Sequence, residues 1–518
     1  MNHWIIVPVV LPALAAAVLL LAAGRPMPVQ RWISGTAAAA LAAVCVGLAA
    51  SLDDFPRVYL LGNWPAPYGI VLVLDRLSAL MLTLTASVAL GCLAYAMTGW
   101  DAAGPAGKRY FHALFQFQLM GLNGAFLTGD LFNLFVFFEV LLIASYGLLV
   151  HGGGTRRARA GIHYVAVNLT ASALFLIGVA LLYGAAGTLN MADLARAVGR
   201  LEGEAALLAQ VAGLLLLAVF AVKAALFPLY FWLPISYTAA AAPVAALFAL
   251  MTKVGVYAIL RVFVLVFGEQ GAGGFSAPWV LPAGLITLGL GTLGALAATD
   301  LGRLAAYLTL SSVGTLLAAV GLFTPQALSS ALFYLVHSTL VTAGLFLLWE
   351  RVAIERGFAA DRFQRGHRLG RPLLLSGTYA FLAATAVGLP PFSGFLGKVM
   401  ILESAREADA ALPVWGMVLV TGLLALFAVA RAGSRLFWDL SREPPPASQA
   451  TSPAQAAPLL ALVAALAGLV VLAAPFKAFT DQTARELFNA ERYAATVLGH
   501  PALPQRGLPG APSEETTR

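Results

Sequence analysis

The sequence has 518 residues and a formal net charge of +7 at pH 7. Apolar residues make up 60% of it and charged residues only 11%, whereas about a quarter of the residues in a soluble domain are charged. This composition excludes a soluble enzyme or a soluble binding module, and it predicts a polytopic membrane protein. The positive charge does not indicate nucleic-acid binding, because basic residues collect in the cytoplasmic loops of such proteins.

The apolar segments predict an all-α membrane protein. At roughly 20 residues per crossing, the sequence contains about fourteen transmembrane helices. The first segment, residues 4–23, is long and contains Pro8 and Pro12, which favours a retained span over a cleaved signal peptide. Cys45 and Cys92 both fall in apolar segments, so neither a disulfide nor a metal site is expected.

Charge and composition between the segments predict orientation and linkers. Arginine and lysine are concentrated in alternate loops, as in the cluster of Arg156, Arg157 and Arg159. Such loops stay in the cytoplasm, so both termini are predicted to lie outside. The stretch 442–456 is rich in proline and serine and is interpreted as a linker, and residues 501–518 are interpreted as a disordered tail.

Two apolar segments are interrupted by helix-breaking residues. The first carries Lys223 before its breaks, and the second carries Lys398 after them. The residues at the predicted helix breaks are Pro228 and Pro234 in the first segment, and Pro390, Pro391 and Gly394 in the second. A pair of interrupted segments in the two halves of a chain is typical of an inverted-repeat transporter whose site lies at the breaks.

Titratable residues occur where a membrane protein ordinarily has none. Three of the five lysines, Lys223, Lys253 and Lys398, lie inside apolar segments. An ammonium at the centre of a spanning helix costs about 3 kcal/mol, so each is a functional-site hypothesis. Glu139 is the only carboxylate predicted in the middle of a span, and Lys223 is the candidate cation to keep it ionised. His337 is the only histidine near a span centre, and imidazole titrates near neutral pH. The five residues together predict a proton path.

Each of these residues also has a purely structural interpretation. Glu139 and Lys223 could form an ion pair without a transport role, and Lys253 could extend toward a helix end. His337 could be a hydrogen-bonded core histidine. Lys398 could donate hydrogen bonds to carbonyls freed by a helix break. Four charged residues at predicted span ends are interpreted as helix caps and anchors: Asp75, Arg76, Asp300 and Arg303.

Several stretches in this order resemble a known family. They are DRLSALM at 75–81, FFEVLLIASYGLL around Glu139, VKAALFPLYFWLP around Lys223, LMTKVGVYAILR around Lys253, DLGRLAAYLTLSSVG at 300–314 and GLPPFSGFLGK ending at Lys398. These resemble the proton-translocating antiporter-like subunits shared by respiratory complex I, membrane-bound hydrogenases and Mrp-type multisubunit cation/proton antiporters. The likeness covers residues 70–440, and TKVGVYAILR and LPPFSGFLGK are most similar to the D subunit of Mrp (also called Pha) antiporters.

The resemblance implies fourteen spans, with two inverted five-helix repeats and broken helices 7 and 12. The implied divisions are three N-terminal transmembrane helices at 1–110, a first repeat at 111–267, a second repeat at 278–440, a last span with the start of the tail at 457–500, and the tail at 501–518. It also implies a secondary transporter subunit of the bacterial inner membrane with no cofactor. Its partners would be other membrane subunits, protons, Na⁺ or K⁺ and the lipid bilayer, with no nucleic acid.

The resemblance further implies that protons pass along the bilayer midplane between two half-channels, through Glu139, Lys223, Lys253, His337 and Lys398. In this hypothesis the first two residues form an electrostatic switch. The alternative within the family is a proton-pumping subunit of a complex I-like NADH:quinone oxidoreductase or of a membrane-bound hydrogenase. A third possibility is an assembly subunit without a transport role, in which the polar residues only hold helices together.

Overall fold

The computed structural model describes residues 3–98, 110–268, 274–440 and 450–500. The predicted tail at 501–518 and most of the predicted linker at 442–456 lie outside the described residues. Nearly all regular structure in the described part is helical. A helix pairs all of its internal backbone groups within one segment, which is why long apolar sequences adopt it in lipid, where water is absent.

The described residues of the first half of the chain contain eleven α-helices and one hairpin. Their bounds are α1 (Val7–Leu21), α2 (Met27–Ala50), β1 (Arg57–Leu60), β2 (Val71–Leu74), α3 (Arg76–Met97), α4 (Phe111–Leu127), α5 (Leu131–Val150), α6 (Thr155–Ala186), α7 (Met191–Val198), α8 (Gly203–Ala224), α9 (Trp232–Ala239), α10 (Ala242–Leu247) and α11 (Met251–Ile259). A single 3-10 turn joins α10 to α11, and α11 continues as a wider π-helical segment over Leu260–Val266.

The part of the second half that the structure describes contains nine α-helices. Their bounds are α12 (Ala277–Ala297), α13 (Leu301–Val320), α14 (Pro325–Glu355), α15 (Pro372–Val387), α16 (Ser393–Ser404), α17 (Ala411–Phe437), α18 (Pro453–Val471), α19 (Ala473–Leu487) and α20 (Ala490–Leu498). Residues 453–456, predicted as the end of the linker, instead form the first turn of α18.

Eleven helical segments of the described chain are long and apolar enough to cross a membrane. They are α2, α3, α5, α6, α8, the continuous segment 242–266, α12, α13, α14, α17 and α18. The three other predicted spans coincide with α1, α4 and α15, which have 15, 17 and 16 residues. The all-α polytopic class is therefore confirmed, and the total of fourteen spans stays a prediction.

A short hairpin is the one element of the described residues that departs from the all-α prediction. Strands β1 and β2 pair antiparallel, with Arg57 opposite Leu74 and Leu60 opposite Val71. Four-residue strands are too short to give a clear alternation in the sequence, and they lie between two predicted spans. The hairpin leads directly into Asp75, whose side chain accepts a hydrogen bond from Ser78 N and caps α3, as predicted.

Matching backbone turns mark two repeats. In each half, the residues that begin one helix form backbone hydrogen bonds with the residues that follow the next helix. At the start of α5, Leu131 N donates to Leu189 O and Met191 N donates to Gly129 O. At the start of α13, Leu301 N donates to Asp361 O and Phe363 N donates to Thr299 O. The first turn precedes α5, and the second precedes α13. The same pairing therefore recurs in both halves, as two repeats would require, and their inverted relation stays a prediction.

Both predicted helix breaks are present. Helix α8 ends at Ala225, which has a φ of 60°, and α15 ends at Gly388, which has a φ of 88°. A left-handed residue of this kind stops a helix and redirects the chain. Pro228, Pro390 and Pro391 lie in the gaps, whereas Pro234 and Gly394 lie inside the first turns of α9 and α16.

Candidate functional site

Lys223 lies in the last turn of α8 and is buried against α6. Its ammonium donates to Asn168 O at 3.3 Å, to Asn168 Oδ1 at 3.4 Å and to Ser172 Oγ at 3.3 Å. Its Nζ also lies 5.9 Å from the centroid of the Phe138 ring. Asn168 and Ser172 are one turn apart on α6 and so present one polar face. The first break thus holds an intramembrane ammonium on a polar stripe from a neighbouring helix.

Glu139 follows Phe138 on α5 and is half-buried. Its Oε1 is buried and has no hydrogen-bond partner among the described residues. Within the described part of the chain no ion pair of 4.0 Å or less joins it to Lys223, although its charge acts on that ammonium. The predicted direct contact is therefore not formed here, because Lys223 reaches α6 instead.

Lys253 lies in α11 and is completely buried. Its Nζ has no hydrogen-bond partner among the described residues. Two residues further on, a Cβ built on Gly255 would lie 2.5 Å from Ala224 N and 2.8 Å from the carbonyl carbon of Lys223. The backbone of α11 therefore touches the first break directly. An unpaired polar group in such a place is costly, which makes Lys253 the least expected residue of the site.

His337 lies at the centre of α14, opposite the second break. Its Nδ1 is 3.0 Å from Ser393 Oγ, the first residue of α16. A Cβ built on Gly394 would lie 2.0 Å from Thr385 O and 3.0 Å from His337 Cε1, so only glycine fits between the end of α15 and the imidazole. His337 and Lys398 line the same small cavity.

Lys398 reaches back across the second break. Its Nζ donates to Val387 O, the last carbonyl of α15, at 2.6 Å. This is the contact expected of a lysine that satisfies a carbonyl freed by a helix break. Its side chain also lines an internal cavity with His337, Ser311 and Thr342. The space open to the centre of a water molecule is about 20 Å³, enough for about one water.

Sequence reasoning missed the polar face that binds Lys223. Tyr164, Asn168 and Ser172 recur every four residues along α6, and Ser145 Oγ lies 3.1 Å from the Tyr164 hydroxyl. The signal was present, because polar residues at a spacing of four in an apolar helix form a stripe. It was overlooked because none of the three residues is charged.

A buried ion pair was also missed. Arg261 donates to both carboxylate oxygens of Asp75, each at 2.6 Å, and to Ser78 Oγ at 3.0 Å. Its Nε donates to the Tyr257 hydroxyl at 2.9 Å. Asp75 was predicted only as a cap, and it has both roles. The pair joins residues 186 positions apart, so no local pattern could have indicated it.

Comparison with known proteins identifies relatives over the whole chain. The family model described as "NADH:quinone oxidoreductase/Mrp antiporter, TM" matches residues 128–425. The D subunit of a probable K⁺/H⁺ antiporter from Rhizobium meliloti is 42% identical, with 97% of this chain and 98% of that protein covered. The D subunit of the Na⁺/H⁺ antiporter from Alkalihalophilus pseudofirmus is 38% identical, with 96% and 100% covered.

A solved structure agrees with these relatives. A chain of the Mrp complex from Dietzia sp. DQ12-45-1b superposes with a TM-score of 0.83 at 29% identity, covering 96% of this chain and 100% of that one. The two broken helices and their lysines thus occur in a chain that is similar from end to end to antiporter subunits. The chain belongs to the family of Mrp antiporter D subunits.

Proposed function

We propose that this chain is the proton-translocating subunit of a multisubunit monovalent cation/proton antiporter. The observation that carries the proposal is Lys253, a completely buried lysine without a hydrogen-bond partner in the described structure. Stability alone does not account for such a residue, because an isolated ammonium is disfavoured at membrane depth. A group that must gain and lose a proton does account for it.

Protons would move through Lys253 and His337 between the two breaks. Glu139 and Lys223 would form the switch. When the two side chains approach, the carboxylate favours the ammonium form of Lys223. When they separate, burial favours the neutral amine and the proton is released. Moving one charge through 100 mV is worth about 2.3 kcal/mol, which is comparable to the free energy that such a switch needs.

Lys398 would be the group that receives the proton at the second break. Its nitrogen donates to Val387 O, as a neutral amine also can, and borders the cavity that also contains His337. One water in this cavity would join the imidazole to the amine. The inferred order of transfer groups is therefore Lys223, Lys253, His337 and Lys398, in either direction.

The exchanged cation would be Na⁺ or K⁺, since the relatives named above come from both kinds of antiporter. We also propose that the chain works with other membrane subunits in a bacterial inner membrane, with both termini outside. The matching family model also covers NADH:quinone oxidoreductases. The antiporter is favoured over a complex I-like pump because the antiporter relatives are 38–42% identical to this chain, whereas a matching chain of respiratory complex I from Thermus thermophilus is 26% identical.

The test is cation/proton exchange by the purified complex in proteoliposomes. Wild type, Glu139→Ala and Lys223→Ala would be compared, with Na⁺ and K⁺ supplied in turn. We expect both variants to assemble and to lose most exchange. Lys477→Ala is the matched control, because this lysine lies in α19 outside the predicted path. Full exchange by assembled Glu139→Ala and Lys223→Ala complexes would contradict the proposal.

A further inference from the structure

A second column of polar side chains leaves Lys253 along its own helix. Tyr257 and Arg261 follow at intervals of four residues, so the three side chains share one face. The Tyr257 hydroxyl donates to Phe126 O at 2.7 Å and accepts from Arg261 Nε at 2.9 Å. The column therefore runs from the unpaired lysine toward the end of the π-helical segment.

The column ends in the buried Arg261–Asp75 pair. The two side chains are only 2% and 6% exposed. A buried ion pair often contributes little net stability, so its presence calls for a further role. Because Asp75 begins α3, the pair lies at the membrane face that carries the β1–β2 hairpin.

Beyond the pair lies a small cavity closed by the C-terminal helices. Asp75, Arg261, Glu486, Arg492 and Tyr493 line it. About 10 Å³ is open to the centre of a water molecule, close to the minimum for one water. The cavity thus joins the buried pair to Glu486, a half-buried carboxylate on α19.

Burial beside this cavity poises Glu486 for proton exchange. Its Oε1 forms an ion pair with Arg76 Nε at 3.0 Å. Burial raises the pKa of Glu486 to about 7, and the Asp75 carboxylate acts in the same direction. Arg76 and Arg492 oppose the rise but do not cancel it. The remaining charge facing the cavity is Arg261, which is tied to Asp75.

We propose that Glu486 is the surface proton-exchange site of this chain, linked to Lys253 through Tyr257 and the Arg261–Asp75 pair. This inference rests on the proposed function. One water would carry the proton from the Lys253 ammonium to the Tyr257 hydroxyl, which turns its own O–H from Phe126 O to the Asp75 carboxylate as it accepts. Cavity water then delivers the proton from Asp75 to the Glu486 carboxylate. Only N–H and O–H bonds change, and Arg261 stays charged throughout.

The same column would exclude cations other than the proton. Arg261 is fixed by two hydrogen bonds to Asp75 and one to Ser78, so its positive charge stays in the path. A hydrated Na⁺ or K⁺ would meet this charge in a space for one water. A proton can pass along hydrogen bonds without a moving ion, so the route serves protons alone.

The test uses the full complex in proteoliposomes, with the initial rate of exchange measured against external pH. Glu486→Gln keeps a hydrogen-bonding partner for Arg76 but removes the titration. Glu491→Gln is the matched control, because this carboxylate lies on the adjacent helix α20, is 72% exposed and pairs with Arg196. We expect the wild-type rate to inflect near pH 7, and Glu486→Gln to be at least about tenfold slower without that inflection. Glu491→Gln should match wild type.

A Glu486→Gln complex with the wild-type rate and pH profile would overturn the inference. If that variant does not assemble, Glu486→Asp is used instead, because it keeps a carboxylate on a shorter side chain. It should shift the pH at which the exchange rate inflects, and an unshifted inflection would also overturn the inference. Lys253→Met separates the two proposals. If it is inactive while Glu486→Gln is normal, only this inference fails, and if Lys253→Met keeps full exchange, the proposed function fails as well.

Discussion

Replacing Lys253 with methionine should make the protein more stable and inactive at once. Lys253 is completely buried and its Nζ has no hydrogen-bond partner among the described residues. Methionine has a similar unbranched shape and fills an irregular apolar space well, so little cavity is created. The substitution therefore removes a buried polar group while leaving the packing nearly unchanged.

The size of the gain follows from the state of the lysine. An ammonium at the centre of a spanning helix costs about 2.5–3.5 kcal/mol. A neutral amine without a partner still costs about 1–3 kcal/mol, the penalty for a buried polar group left unsatisfied. We therefore expect Lys253→Met to raise the free energy of unfolding by about 1–3 kcal/mol.

The measurement is the unfolding of the purified complex in detergent by titration with a denaturing surfactant, together with exchange in proteoliposomes. Lys223→Met is the contrasting variant. Without the Lys223 ammonium, Asn168 and Ser172 lose the donor of their hydrogen bonds, so the Lys223→Met complex should be no more stable than wild type. A Lys253→Met complex that unfolds more easily than wild type would refute the reasoning, since Lys253 would then have a stabilising partner.

Three other substitutions test the packing and the charges. Gly255→Ala should lower the free energy of unfolding by about 1–3 kcal/mol and slow exchange, because the new methyl would lie 2.5 Å from Ala224 N. An unchanged Tm would contradict this expectation. Arg261→Met should lower the free energy of unfolding by about 3–5 kcal/mol, because it leaves the buried Asp75 carboxylate unpaired. Adding Asp75→Asn to Arg261→Met should recover much of that loss in the same unfolding assay. If the two substitutions instead lower the free energy of unfolding additively, the pair is not coupled. Burial raises the pKa of Glu486 from 4.5 to about 7, so native-state protonation stabilises the fold below pH 4.5 and is lost as the pH rises through 7. The Tm of Glu486→Gln should therefore rise relative to wild type between about pH 5 and about pH 8, and parallel Tm curves would contradict this.

The sequence alone could predict the long apolar helices and the two places where they break. Each conclusion needed only a local contrast, such as one lysine inside a run of apolar residues or prolines inside a span. Lys223 and Lys398 stand out because lipid penalises charge and broken backbone far more than water does. The opposite order of lysine and proline in the two halves also predicts an inverted repeat.

The contacts of those residues could not be predicted in the same way. Lys223 had Glu139 as its obvious partner by charge, yet the structure gives it neutral oxygens on α6. Electrostatic attraction is only one way to stabilise a buried ammonium, and carbonyl and hydroxyl groups serve when a helix face brings them near. Arg261 was passed over because it lies near the end of a span, where arginine usually extends toward water.

The lysines at the two helix breaks have different hydrogen-bond partners, and this difference indicates which of them a conformational switch can affect. Lys398 follows its break, so it can reach back to Val387 O at the carboxyl end of α15, where the helix dipole favours a cation. Lys223 precedes its break and belongs to the last turn itself, so its bonds must come from another helix. A relative movement of α6 and α8 therefore changes the partners of Lys223 but leaves those of Lys398 intact. With Glu139 close enough to act on it, Lys223 is the lysine whose environment a conformational change can alter.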